Sequence, residues 1–139
     1  MKMVIDMEYY VFRLKRGDDL LLSINDFCVE NNIEAGCIVT VVGSVYEIRI
    51  RKADGASEYF ETKDFEIVSL TGTISEDGPH LHIALSDNRL TTIGGHLLAG
   101  TKINTTAEIV LMQFDKYKMI RTMDPNTGYK ELEVREIEK

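Results

Sequence analysis

Ile38-Val39-Thr40-Val41-Val42-Gly43-Ser44-Val45-Tyr46-Glu47-Ile48-Arg49-Ile50-Arg51-Lys52 is the stretch that decides the fold class. Its first five residues form an unbroken apolar run, the pattern of a strand covered on both faces. Gly43-Ser44 is expected to interrupt it. From Val45 the period is two, with Tyr46, Ile48 and Ile50 set against Glu47, Arg49 and Arg51, as in a strand wetted on one side. Asp54-Gly55 then supplies a strong hairpin turn.

Downstream the same period predicts strands at Ser57–Thr62, Phe65–Ile74, His80–Leu85, Thr91–Leu97 and Thr105–Met112. Asp87-Asn88-Arg89 turns the chain between the third and fourth of these. Asp124-Pro125-Asn126-Thr127-Gly128 turns it between Tyr117–Thr122 and Tyr129–Val134. Upstream, Tyr9–Leu14 reads as a strand with Tyr9, Val11 and Arg13 on one face and Tyr10, Phe12 and Leu14 on the other. Asp18-Asp19 then caps a helix whose apolar stripe is Leu20, Leu21, Ile24, Phe27 and Cys28, and Asn31-Asn32 ends it. That stripe is read as core, not as a cofactor box. One helix among many strands, with no βαβ alternation, predicts an α+β domain on antiparallel sheet.

At 139 residues the chain is expected to form a single domain spanning 1–139, with no repeat or linker. No apolar segment is long enough to cross a bilayer. Acids break the short apolar run Met1–Glu8, so no secretory signal is read there, and a cytoplasmic location is expected. Cys28 and Cys37 form neither a disulfide framework nor a metal-ligand spacing.

All three histidines fall in one window, His80-Leu81-His82 and Gly94-Gly95-His96. Residues two apart on a strand share a face, so His80 and His82 present both imidazoles to one side. A turn centred near Asn88 would set His96 opposite His80 and Gly94 opposite His82, leaving room for an ion. Three neutral imidazoles with an open position suit zinc, or another divalent transition metal, that keeps a water. A polar strand edge without a metal is the plainer reading of the same residues. The paired glycines favour the metal, because they suggest close backbone approach.

In order and spacing, Phe65-Glu66-Ile67-Val68-Ser69-Leu70-Thr71-Gly72, Gly78-Pro79-His80-Leu81-His82, Gly94-Gly95-His96-Leu97 with Gly100, and Thr105-Thr106-Ala107-Glu108 resemble the plants and prokaryotes conserved (PPC) domain. The resemblance is strongest over residues 9–112, and the turn Asp124–Gly128 also matches prokaryotic members. It implies a curved, mostly antiparallel sheet with one main helix, a homotrimer, and a metal held by the matching histidines. Plant relatives join the domain to AT-hook segments, which is why prokaryotic relatives carry a DNA-binding label. This chain has no Arg-Gly-Arg core of an AT-hook. It also has Leu90 where many relatives have a glycine.

Three functions compete. In the first, His80, His82 and His96 hold a metal for small-molecule chemistry, with Glu108 as the base or orienting group for its water. The plainer reading of Glu108 is a solvated acid or a partner for Arg13. Ser44 after Gly43 lacks the partners of a nucleophile. In the second, the protein is a trimeric scaffold or regulatory module for a protein partner, with Phe65–Leu70 and Thr105–Met112 contributing to contacts. Phe65, Ile67 and Leu70 also read as core.

Direct DNA binding ranks last. The formal net charge is −7, and Arg49, Arg51 and Lys52, the nearest approach to a basic patch, share their strand with Glu47. Fluorescence anisotropy with AT-rich and GC-rich duplexes is expected to show weak binding or none near about 150 mM salt. Sub-micromolar affinity with AT preference would restore the DNA reading.

Overall fold

The computed structural model describes residues 7–137. The elements are β1 (Met7–Lys15), α1 (Leu20–Glu30), β2 (Gly36–Arg51), β3 (Glu58–Ser75), β4 (Gly78–Ser86), β5 (Thr92–Leu97), β6 (Lys102–Phe114), β7 (Tyr117–Met123) and β8 (Lys130–Glu136). Strands β1 to β6 form one antiparallel sheet in the order β1-β6-β2-β3-β4-β5, and β7 and β8 pair in a separate hairpin. The sheet curves back on itself, because β5 also pairs with the end of β2. The α+β reading holds, with one helix against a curved antiparallel sheet.

Helix α1 begins where the sequence caps it. The Asp19 carboxylate accepts from the Leu22 amide at 3.0 Å, and its second oxygen accepts from the Gly100 amide at 2.7 Å. One side chain thus satisfies an orphan helix donor and fastens the helix start to the loop after β5. Leu20, Ile24 and Cys28 are buried, and Phe27 stacks on Phe12 at 3.8 Å. Each fully buried aliphatic side chain of this kind contributes about 1.5–3 kcal/mol. Burial raises the Cys28 thiol to about 11, and neither cysteine is in a disulfide.

The long strands depart from the sequence reading in three places. Gly43-Ser44 does not interrupt β2; the strand runs through, and a Cβ at Gly43 would press on the Thr106 carbonyl of β6. The glycine marks close strand approach, not a break. A β-bulge between Val45 and Glu47 then shifts the phase, so Val45, Ile48 and Ile50 enter the core and Tyr46 does not. Tyr46 stays half-buried beneath the Arg16 guanidinium, 4.8 Å from its ring centre. Likewise, the two strands expected at Ser57–Thr62 and Phe65–Ile74 are one, β3.

Phe65, Ile67, Leu70 and Ile74 of β3 face Leu81, Ile83 and Leu85 of β4 in the core. With the odd-numbered residues of β4 inward, His80 and His82 necessarily point away from the core.

Leu90 occupies the turn between β4 and β5 with φ of 66° and is 84% exposed. A left-handed conformation costs a non-glycine residue about 1–2 kcal/mol, and glycine's greater freedom in the unfolded chain returns about 0.5–1 kcal/mol of that. Leu90→Gly is therefore expected to stabilise the fold by about 0.5 kcal/mol in chemical denaturation. A clear loss of stability would show that the leucine side chain makes contacts its exposure does not reveal.

Candidate metal centre

The three histidines converge on the outer face of β4 and β5. The ring centres of His80 and His82 lie 5.1 Å apart, those of His80 and His96 5.1 Å, and those of His82 and His96 5.6 Å. One potential ligand nitrogen from each lies within 4.8 Å of the other two. The register differs from the one expected: His82, not His80, is opposite His96, and Ala84, not His82, is opposite Gly94. A turn displaced by one position moves each pairing by two residues, which keeps every side chain on its face. His80 then meets His96 on the diagonal, a distance an imidazole spans.

Gly94 and Gly95 do not make room for an ion. A Cβ at Gly94 would collide with the Ile83 carbonyl of β4, and one at Gly95 would lie 2.7 Å from the Arg51 carbonyl of β2. The glycines let β5 press between its two neighbours. That closure pairs Arg51 with His96.

Burial, then the charge of Arg51, lowers the His96 imidazole to about 4. Burial, then Arg121, also lowers His80, and Arg51 and His82 add to the effect, while Glu131 opposes it. His80 and His96 are therefore neutral near pH 7, the form that ligates a metal. His96 Nδ1 is buried with no hydrogen-bond partner. A buried nitrogen without a partner costs free energy that coordination would offset. Three imidazole nitrogens this close to one another are a donor set that fits a zinc ion.

Glu108 lies elsewhere. It is exposed on β6, opposite Arg13 of β1 and Val42 of β2, and β2 and β3 stand between it and the histidine strand β4. Arg13 bonds instead to Thr106 Oγ1 at 2.9 Å. Within one chain Glu108 does not join the histidines.

Two residues that the sequence reading did not place here do join them. Arg51 is the neighbour of His96 across β2 and β5. Arg121, from β7, approaches His80 Nδ1 to 3.2 Å and Thr73 Oγ1 to 3.4 Å, while its amide donates to Asp77 at 2.7 Å. A cleft of about 560 Å³ opens beside them between His80, His96 and the hairpin residues Tyr129, Lys130 and Glu131. The alternation of β2 could have flagged Arg51 as same-face with the site had β5 been known to pair there. Nothing local marks Arg121.

The chain is 38% identical over 131 residues to the bifunctional protein GlmU of Synechococcus sp. strain JA-3-3Ab, covering 94% of this chain and 21% of that protein. It thus spans about a fifth of that curated relative. Among solved structures, a hypothetical protein from Salmonella enterica superposes with a TM-score of 0.91 at 30% identity, over 94% of each chain. The metal-containing protein AF0104 from Archaeoglobus fulgidus superposes with a TM-score of 0.71 at 25% identity, over 89% of this chain and 91% of that one. A protein from Bacteroides thetaiotaomicron that is named as a candidate DNA binder gives 0.80 at 24% identity, over 95% and 94%, and shows the fold alone. Residues 1–115, which carry all three histidines, match the Plants and Prokaryotes Conserved domain, and the chain belongs to that PCC family.

Proposed function

We propose that this PCC-domain protein is a homotrimer that holds a divalent transition metal, zinc above others, on His80, His82 and His96 for small-molecule chemistry. The observation that carries the reading is the convergence of three potential ligand nitrogens within 4.8 Å, one ring having a buried nitrogen without a partner. The metal content of the Archaeoglobus relative is consistent with it. A zinc ion on three imidazoles keeps a position for a water and lowers that water's pKa. The chain's own part is to keep His80 and His96 unprotonated, to aim three rings at one point and to present an open cleft beside them. A base role for Glu108 would have to be exercised across a subunit contact, because its own chain carries it away from the histidines.

The trimer draws support from an uncovered apolar face. Tyr9 and Val11 of β1, Val42 of β2 and Val68 of β3 are all more than half exposed, and the register sets Val11 against Val110 and Val42 against Glu108 on the same side of the sheet. Such a face is the ordinary mark of an interface. Phe65, Ile67 and Leu70, by contrast, are core residues. If the metal proves to be inert and fully coordinated, that face favours the alternative of a non-catalytic scaffold. No helix among the described residues is long and apolar enough to cross a membrane.

Untagged protein supplied with zinc is expected to take up one ion per chain by elemental analysis. Joint replacement of His80, His82 and His96 by alanine should abolish uptake and preserve the circular dichroism spectrum, whereas Glu108→Gln should keep the zinc. Protons and metal compete for the same lone pairs. Because burial and the charge of Arg51 lower His96 to about 4, zinc should be released by the time the pH has fallen to that value. Wild-type protein without stoichiometric metal would end the reading.

Light scattering at micromolar concentration should return a trimer mass. Val11→Glu combined with Val68→Glu should shift it towards monomer with little loss of fold, since both side chains are exposed. A monomeric wild type would rule out the trimer.

A further inference from the structure

We infer that the cleft beside the histidines is a receptor for a small oxyanion, a carboxylate or phosphate group, gripped by Arg51 and Arg121. The inference rests on the metal reading for the anion's third contact, and on the arginines themselves for the other two.

The first observation is two guanidinium groups that line the cleft without ion-pair partners. Arg51 makes no ion pair among the described residues, and its Nε is buried without a hydrogen-bond partner. Glu58 stands across from it in the β2–β3 register, yet the two do not pair. Arg121 also has no ion pair among the described residues; its guanidinium is spent on a threonine hydroxyl and an imidazole. Lys130 adds a third cation to the cleft lining. Of the acids there, Asp54 is engaged by the amides of Ala56 and Ser57 and by the Ser57 hydroxyl, and Asp77 accepts the Arg121 amide. Glu131 alone is left at the exposed rim.

The second observation is chemical. A guanidinium can only donate, so His80 Nδ1 must carry a lone pair to accept from Arg121. A metal on that nitrogen displaces the arginine. A metal on Nε2 instead requires the ring proton to sit on Nδ1, where it repels the same N–H. Either way, metal loading releases the Arg121 guanidinium from His80, leaving it the Thr73 hydroxyl, while its backbone amide stays anchored to Asp77. A dication beside two guanidinium groups without ion pairs favours an anion placed directly between them, where Asp54, Asp77 and Glu131 make no ion pair with either arginine. Arginine forks match the planar or tetrahedral oxygens of carboxylates and phosphates.

The test uses the 139-residue chain loaded with cobalt(II), whose visible spectrum reports its ligands, alongside zinc-loaded and metal-free protein. Inorganic phosphate and acetate are titrated separately by calorimetry, which tells the two oxyanion sources apart, and the cobalt spectrum should change as either one binds. Arg51→Gln and Arg121→Gln should each weaken anion affinity about tenfold or more while leaving metal stoichiometry intact. Stoichiometric metal with no anion binding overturns this inference and leaves the metal reading standing. Failure to load metal, with arginine-dependent phosphate or acetate binding retained, overturns the metal reading alone. Anion binding that neither arginine variant alters refutes the assignment.

Discussion

The candidate site depends on one close approach, the insertion of β5 between β4 and the end of β2. Backbone carbonyls from both neighbours crowd β5 at Gly94 and Gly95, so side chains there would hold the strands apart. With the strand seated, Ile50 and Leu97 join across β2 and β5 in the core. On the opposite face the same pairing sets His82, His96 and Arg51 in a row across three strands. The apolar side of the closure supplies the stabilisation, and the polar side carries the histidines.

That division explains how a site can sit on the outside of a sheet and still be partly dehydrated. The β7–β8 hairpin stands beside the outer face of β3 and β4, anchored through the Arg121 amide on Asp77 and the Glu76 amide on the Met119 carbonyl. It walls one side of the cleft and brings a cation to His80. His80 and His96 therefore experience desolvation and positive charge together, and both disfavour the imidazolium. A ring kept neutral by burial keeps its lone pair available to a metal, whereas the two guanidinium charges oppose a dication as they oppose a proton.

Much of the scaffold was legible in the residues. Asp19 announced the helix start, the Leu20, Ile24 and Cys28 spacing its buried side, and the apolar run from Ile38 with the alternation from Val45 to Lys52 a sheet protein. The same-face relation of His80 and His82 followed from strand geometry alone. The misreadings share a cause. Gly43 resembles a strand end, and Tyr46 sits in phase with Ile48, because a glycine fitted against a neighbouring strand and a bulge are properties of paired strands. The register of the histidine hairpin was off by one turn position for a similar reason, since Leu90 adopts a left-handed conformation that its side chain does not advertise.

The sequence by itself determined the element types, the shared face of His80 and His82 and the clustering of three histidines, because these follow from local periodicity and spacing. Only the tertiary structure decided what surrounds that cluster. It carried Glu108 off to a strand three places away in the sheet, and it brought Arg51 and Arg121 in from β2 and from the hairpin. Those placements depend on how a curved sheet closes and where a hairpin docks, and long-range packing sets both, with no residue in any local window to encode them.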